Sequence, residues 1–241
     1  LCAVPAKPAA AQPYDSIARL YDPWSRSVVE DVAFYVEEAS RAAPGPVIEL
    51  GVGTGRIAVP VAAAGISVIG VDSSAGMLEI CWEAAELAGV WGLLDLRLGN
   101  YSRPPISDHV QLVLCPFRAY LHLHSEGERL EALRAAYDLL VPGGRLVFDV
   151  FTPSREDIEE THGRWLEREP GIFERADWDT ARRVLTLSLR GPESETTMEL
   201  AWVSQAEWRG LLHEAGFRVN ACYGWFDRRP WSGGEDSIWI A

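Results

Sequence analysis

Short apolar runs alternate with amphipathic stretches through the first 150 residues of the chain. Val47 to Leu50, Ser67 to Val71, Leu94 to Leu98, Val110 to Leu114 and Arg145 to Phe151 each read as a brief buried strand. Helical spacing fills the gaps, over Ile57 to Ala64 and over Met77 to Ala88, with Gly65 stopping the first. A further stripe of Leu130, Leu133, Tyr137 and Leu140 follows a capping box of Ser125 and Glu128, and Pro142-Gly143-Gly144 is its expected stop. Upstream, Val28, Val32, Tyr35, Val36 and Ala39 predict a helix over about 27 to 42, capped by Ser27 with Glu30 and ended by Pro44-Gly45-Pro46. Alternation of this kind implies a mainly parallel sheet with right-handed crossovers and helices on both faces.

The rhythm changes after residue 152. Arg164 to Glu169, Ile172 to Trp178, Arg183 to Arg190 and Thr197 to Val203 read as successive strands, broken at Gly171, Asp179 and Gly191-Pro192. They predict an antiparallel insertion rather than a separate domain. Ser204 with Glu207 is a third capping box, ahead of a stripe of Trp208, Leu211, Leu212 and Ala215 that Gly216 ends. Phe217 to Trp225 and Ser237 to Ala241 are the last expected strands.

Composition narrows the function. The formal charge of −13 over 241 residues has the wrong sign for a nucleic-acid backbone or an anionic membrane surface. Cys2, Cys81, Cys115 and Cys222 show no metal-ligand spacing, so no metal is expected, and reduced thiols in a cytoplasmic protein are. No apolar run reaches the length of a membrane span. The first residues, rich in Ala and Pro, lack a signal-peptide core and read as a flexible tail over 1–13. Arginine in quantity beside a single lysine, Lys7, points to a GC-rich bacterial source.

The most informative stretch is Val47-Ile48-Glu49-Leu50-Gly51-Val52-Gly53-Thr54-Gly55-Arg56. A strand turning sharply into a helix needs small residues where the backbone bends or meets a ligand. A dinucleotide fingerprint would require glycine at 56, where Arg56 stands, and no Gly-Lys-Ser/Thr follows to make a phosphate loop. Asp72, seventeen residues after Gly55, ends the second strand. There a carboxylate can accept from both hydroxyls of a ribose, cap the next helix, or do both.

These segments, with Gly70-Val71-Asp72-Ser73-Ser74-Ala75-Gly76-Met77-Leu78, resemble the first two motifs of the class I S-adenosylmethionine (AdoMet)-dependent methyltransferases. Leu139 to Phe148 is similar to that family's approach to strand five, and Gln205 to Phe217 to its late helix and strand. The resemblance implies a Rossmann-like, doubly wound, seven-stranded α/β sheet, mostly parallel with the last strand antiparallel, plus the antiparallel insertion. It implies one domain over 14–241: a lid over 14–45, an AdoMet-binding core over 46–151, an acceptor cap over 152–203, and the last helix and strands over 204–241. It also implies AdoMet as cofactor and S-adenosylhomocysteine as product. Gly51, Gly53 and Gly55 would pass beneath the methionine part, Glu49 would orient that loop or its bound water, and Asp72 would hold the ribose. Ser73 and Met77 would border the adenine. Asn100, followed by Tyr101, stands where the family often has an adenine-binding Asp. Tyr14 and Tyr21 lie in a segment similar to the family's lid, where tyrosines close over the cofactor or simply pack the lid. Arg56 and Cys115 complete the candidate cofactor-binding set.

Methyl transfer from a sulfonium is an in-line displacement, so the protein aligns the nucleophile and excludes water. The segment Cys115 to His124 follows strand four and resembles the family's variable fourth motif, but lacks the Asn/Asp-Pro-Pro-Tyr form used by many amino and base methyltransferases, which argues against a nucleobase substrate. His122, ahead of His124, is the candidate general base, against a purely structural role. Cys115 is a nucleophile or, with no partner base evident, a packed thiol. Several of the ten tryptophans fall in the insertion or tail, where an aromatic lid would suit an organic acceptor. Arg228 and Arg229 either grip a carboxylate on it or lie in a solvated loop. The expectation is a monomeric or homodimeric enzyme methylating an amine or hydroxyl of a small molecule. Alternatives are an AdoMet-binding sensor or assembly module and, further off, a nicotinamide oxidoreductase.

Overall fold

In chain order the helices are α1 (Ala18–Ser25), α2 (Glu30–Ala42), α3 (Ala58–Ala63), α4 (Ala75–Leu87), α5 (Glu126–Asp138), α6 (Arg155–Thr161) and α7 (Gln205–Glu214). The strands are β1 (Val47–Leu50), β2 (Val68–Asp72), β3 (Leu94–Leu98), β4 (Val110–Cys115), β5 (Leu140–Phe151), β6 (Trp165–Glu169), β7 (Ile172–Asp179), β8 (Val184–Arg190), β9 (Glu195–Ala201), β10 (Ala221–Tyr223) and β11 (Asp236–Ile240). They come from a computed structural model that describes residues 13–16, 18–25, 29–192 and 194–241. Residues 1–12 of the expected tail, and Ser27 as a helix cap, lie outside the described residues.

Seven strands form one sheet in the order β10-β11-β5-β4-β1-β2-β3, with β11 antiparallel to both neighbours and the other six sharing one direction. Every residue of β1 is buried, as expected of a strand covered on both faces. Phe34, Tyr35 and Ala39 of α2, Val61 of α3 and Cys81 and Ala85 of α4 belong to one core cluster. Ala132, Leu133 and Ala136 of α5 join Trp208, Leu211 and Leu212 of α7 in the other. Two of the three expected capping boxes, Ser125 with Glu128 and Ser204 with Glu207, form at the starts of α5 and α7. The strand order runs away from β1 towards β2 on one side and towards β4 on the other. That reversal opens a crevice at the carboxyl ends of β1 and β4.

The second sheet, β6-β7-β8-β9, is antiparallel throughout. Its period-2 alternation turns Ala176, Leu185, Leu187, Met198 and Leu200 inward, where they join the core cluster that contains Phe148 and Phe151 of β5. The sheet therefore stands over one end of the central sheet.

Two local expectations are corrected and one helix is added. Leu140 already pairs with Val110, so Pro142-Gly143-Gly144 lies within β5 instead of ending a helix. The Val110 amide donates to the Leu139 carbonyl at 2.9 Å, and a Cβ on Gly144 would come within 3.1 Å of the Val110 carbonyl; glycine lets the irregular strand lie close. Of the strand expected over Phe217 to Trp225, only Ala221–Tyr223 pairs, because Gly224 and Trp231 bond back to Arg229 and Cys222 and turn the chain. The helix α6 was not expected; it has one strongly apolar residue, Ile158, but Ser154 caps it through the Asp157 amide at 3.0 Å. No helix among the described residues is long and apolar enough to cross a membrane.

Candidate active site

The glycine loop leaves β1 with the Gly51 and Val52 amides bonded to the Val71 carbonyl at 2.8 and 3.0 Å. Gly53 adopts φ +54, and nothing lies within 4 Å of where its Cβ would be. Gly55, at φ +84, would instead drive a Cβ to 2.6 Å from Cys81 Sγ on α4. One glycine therefore opens the crevice and the other seats the loop on the helix below it. Asp72 completes the turn: its Oδ2 accepts from the Gly53 amide at 2.8 Å and its Oδ1 from the Ser74 amide at 2.9 Å. Burial raises its pKa while these backbone bonds oppose the rise. The cap of α4 is Ser74, not Asp72, for its hydroxyl receives the Met77 amide at 3.1 Å.

Glu49 is 1% exposed, and its Oε2 has no hydrogen-bond partner among the described residues. Burial holds this carboxyl well above the usual range, with Arg56 pulling the other way. Arg56 itself makes a bidentate pair with Asp31 at 2.6 and 2.7 Å and lies 4.4 Å from the centre of the Phe117 ring.

The N-terminal segment, expected as a lid, is fastened to this loop and to the start of α4. Asp22 accepts from the Thr54 hydroxyl at 2.5 Å, and Asp15 from the Ser74 hydroxyl at 2.6 Å and the Gly76 amide at 3.2 Å. Tyr14 meets Tyr21 edge-on at 5.9 Å, and its hydroxyl lies 2.8 Å from His122 Nε2 and 3.2 Å from Met198 Sδ. Burial lifts both tyrosines above the normal phenol range. It also lowers His122 to about 4, so this imidazole is neutral at pH 7.

The other expected residues are spread more widely. Met77 is buried and Ser73 exposed. Asn100 is exposed, and its Oδ1 accepts from the Ser102 amide at 2.7 Å. Tyr101 donates to the Ala119 carbonyl at 3.2 Å. Cys115 is wholly buried, and that burial pushes its thiol well up, as packing rather than nucleophilicity requires. His124 is exposed, 3.8 Å from Glu199. Arg228 pairs with Glu38 at 2.6 Å and Arg229 with Asp227 at 2.9 Å, so both guanidiniums are already engaged.

Beyond the crevice lies a cavity of about 340 Å³, bounded by the N-terminal segment at Tyr14 and Trp24, the ends of β4 and β5 and the four-stranded sheet. Tyr14, Trp24, Phe117, Trp178 and Trp225 contribute aromatic surface to its wall. Two carboxylates there were not anticipated. Asp149, 7% exposed, accepts from the Tyr35 hydroxyl at 2.5 Å and the Phe117 amide at 2.7 Å on Oδ1, and from the Arg118 amide at 3.1 Å on Oδ2. Phe117 and Arg118 both adopt left-handed backbone, φ 56 and 63, a conformation costing on the order of 1–3 kcal/mol per non-glycine residue unless its surroundings hold it. Glu174 accepts from the Trp24 indole at 2.9 Å and from Arg168 at 2.6 Å. A lone aspartate inside the apolar run Leu146 to Phe151 was the available signal for Asp149; Glu174 left none.

A family model described as a methyltransferase domain matches residues 47–144. An uncharacterized methyltransferase of Geobacillus kaustophilus is 32% identical over 160 residues, spanning 64% of this chain and 71% of that protein. The CcbJ methyltransferase of Streptomyces caelestis has a similar structure, with a TM-score of 0.83 at 24% identity over 95% of this chain and 97% of that one. CalS10 of Micromonospora echinaspora, an amino pentose methyltransferase involved in calicheamicin biosynthesis, gives a TM-score of 0.67 at 20% identity over 97% and 98%.

Proposed function

The chain belongs to the class I AdoMet-dependent methyltransferases, with AdoMet as cofactor, and from that premise we propose that it methylates an amine of a small organic molecule. The observation that carries this reading is the cavity wall. Asp31, Asp149, Asp157, Glu174, Glu235 and Asp236 line it against Arg118 and Arg168 among the described residues, amid aromatic rings. An excess of carboxylates beside π faces favours a protonated amine, whereas a hydroxyl gains little from either. CalS10, an amino pentose methyltransferase, is named for a small molecule that carries an amine.

The crevice suits the cofactor. An opening at Gly53 where a side chain would stand admits a ligand against the backbone. The unpartnered, buried Glu49 oxygen matches the α-ammonium of the methionine part, and Asp72 keeps lone pairs beyond its two backbone bonds for ribose hydroxyls. Bound there, AdoMet supplies an activated methyl on sulfur and leaves as S-adenosylhomocysteine. Residues 152–203 act as the acceptor cap, with Tyr14 at the boundary between cofactor and acceptor. His122, at about 4, is a weak base, and its bond to Tyr14 makes it a support for the lid.

The test uses the full chain with methyl-labelled AdoMet and matched panels of small primary amines, alcohols and carboxylates. Label entering amines is expected. Label entering alcohols and no amine would overturn the reading.

A further inference from the structure

We propose that Asp149 seats the acceptor's ammonium group and takes its proton, an inference that rests on the amine reading of the cavity. Three other carboxylates of the wall already hold arginines: Asp31 holds Arg56 at 2.6 Å, Glu174 holds Arg168 at 2.6 Å and Asp236 holds Arg118 at 2.9 Å. Glu235 is exposed and Asp157 only partly buried. Asp149 is nearly buried and makes no ion pair among the described residues, yet it lines the cavity. Two donors fill Oδ1, and only the Arg118 amide reaches Oδ2, which leaves that oxygen able to accept from a substrate.

Its position suits the transfer. Asp149 holds the left-handed turn after β4, and Phe117 of that turn meets the lid rings of Tyr21 and Trp24 edge-on at 6.0 and 6.4 Å. The carboxylate thus stands where the turn beside the crevice and the acceptor cavity meet. The proton of the bound ammonium passes to Asp149 Oδ2, and the nitrogen lone pair so released forms the new C–N bond. The S–CH₃ bond breaks with its electron pair staying on sulfur. A methylammonium product and S-adenosylhomocysteine result, and Asp149 returns its proton to water.

Burial lifts Asp149 to about 6, against the opposing pull of Tyr35, Arg118 and the Phe117 amide. The groups around it are Tyr35 and Asp31 of α2, Arg56 beyond Asp31, Cys115 at the end of β4, and Arg118 of the turn with its partner Asp236 on β11. An ammonium binds the ionised carboxylate, so affinity falls as pH drops through about 6.

The experiment titrates benzylammonium, and benzyl alcohol as its neutral analogue, into the full chain loaded with S-adenosylhomocysteine. Binding is read by tryptophan fluorescence, since three tryptophans line the cavity. At about pH 8 the parent is expected to prefer the ammonium by about tenfold, the preference fading on acidification. Asp149→Asn should abolish it, with melting temperature and S-adenosylhomocysteine binding showing that the variant has folded. Tyr35→Phe removes a donor but keeps the charge, so the preference should persist with its pH midpoint moved upward. This second arm decides the matter if Asp149→Asn does not fold. Persistence in Asp149→Asn, or an unmoved midpoint in Tyr35→Phe, overturns the role of Asp149. A parent that does not distinguish the two probes overturns the amine reading, and the inference falls with it.

Discussion

On the side of the site proposed for the cofactor, most of the shaping groups come from one stretch, Glu49 to Met77, and largely from its backbone. Asp72 reaches Gly53 across 19 residues, and two amides fix the carboxylate. On the acceptor side the contacts span most of the chain: Trp24 meets Glu174 across 150 residues, and Tyr35 meets Asp149 across 114. A surface made from backbone constrains which residues can stand in it, because only glycine tolerates both the left-handed turn and the close approach. A surface made from distant side chains constrains only their packing. The first half suits a cofactor that does not change; the second can be rebuilt for a new acceptor without disturbing the loop.

If the halves are separable in this way, variants should divide cleanly between them. The largest effect is expected on the cofactor side. Asp72→Ala removes the acceptor proposed for the ribose and frees the Gly53 and Ser74 amides together. S-adenosylhomocysteine affinity should fall by about 100-fold, the worth of two hydrogen bonds to a charged group, as measured by calorimetry. A variant that binds as the parent does but shows an altered acceptor KM would break the division.

The acceptor side gives the middle effect. Glu174→Gln takes one negative charge from the cavity and leaves Arg168 without its charged partner. The KM for an amine acceptor should rise about tenfold, with S-adenosylhomocysteine affinity unchanged. Equal losses in both would mean that the four-stranded sheet also shapes the crevice.

This division also explains what could be read from the sequence. The order of apolar runs sufficed for a mainly parallel sheet, whose seven strands the family resemblance implied, and Gly51-Val52-Gly53-Thr54-Gly55 with Asp72 pointed to the turn after β1, because backbone geometry leaves residue-specific traces at fixed spacing. The four strands of the insertion were legible from the turn residues between them, but which cavity they enclose was not, since strand breaks mark elements and not their partners. Glu174 became visible only through its contacts, whereas Asp149 left one trace, a lone aspartate inside an apolar run. The charge of Arg56 was plain, whereas its engagement by Asp31 needed α2 to be placed against the loop.

The smallest effect sharpens the cofactor half from within. Glu49 is buried beside Asp31 and Asp72, and its raised pKa leaves it protonated above the normal glutamate range. An ammonium placed against the unpartnered Oε2 would favour the ionised form, so binding should release a proton. The sign follows from the direction of the shift. Affinity for S-adenosylhomocysteine should rise with pH from the ordinary carboxylate range up to the raised pKa of the ligand-free protein, by less than about tenfold per unit because at most one proton is involved. Calorimetry in buffers of different ionisation enthalpy measures that proton directly. Glu49→Gln has no proton to release, so its affinity should be flat across the same window. A parent that releases none would mean that the α-ammonium lies elsewhere, leaving Asp72 as the carboxylate that anchors the cofactor.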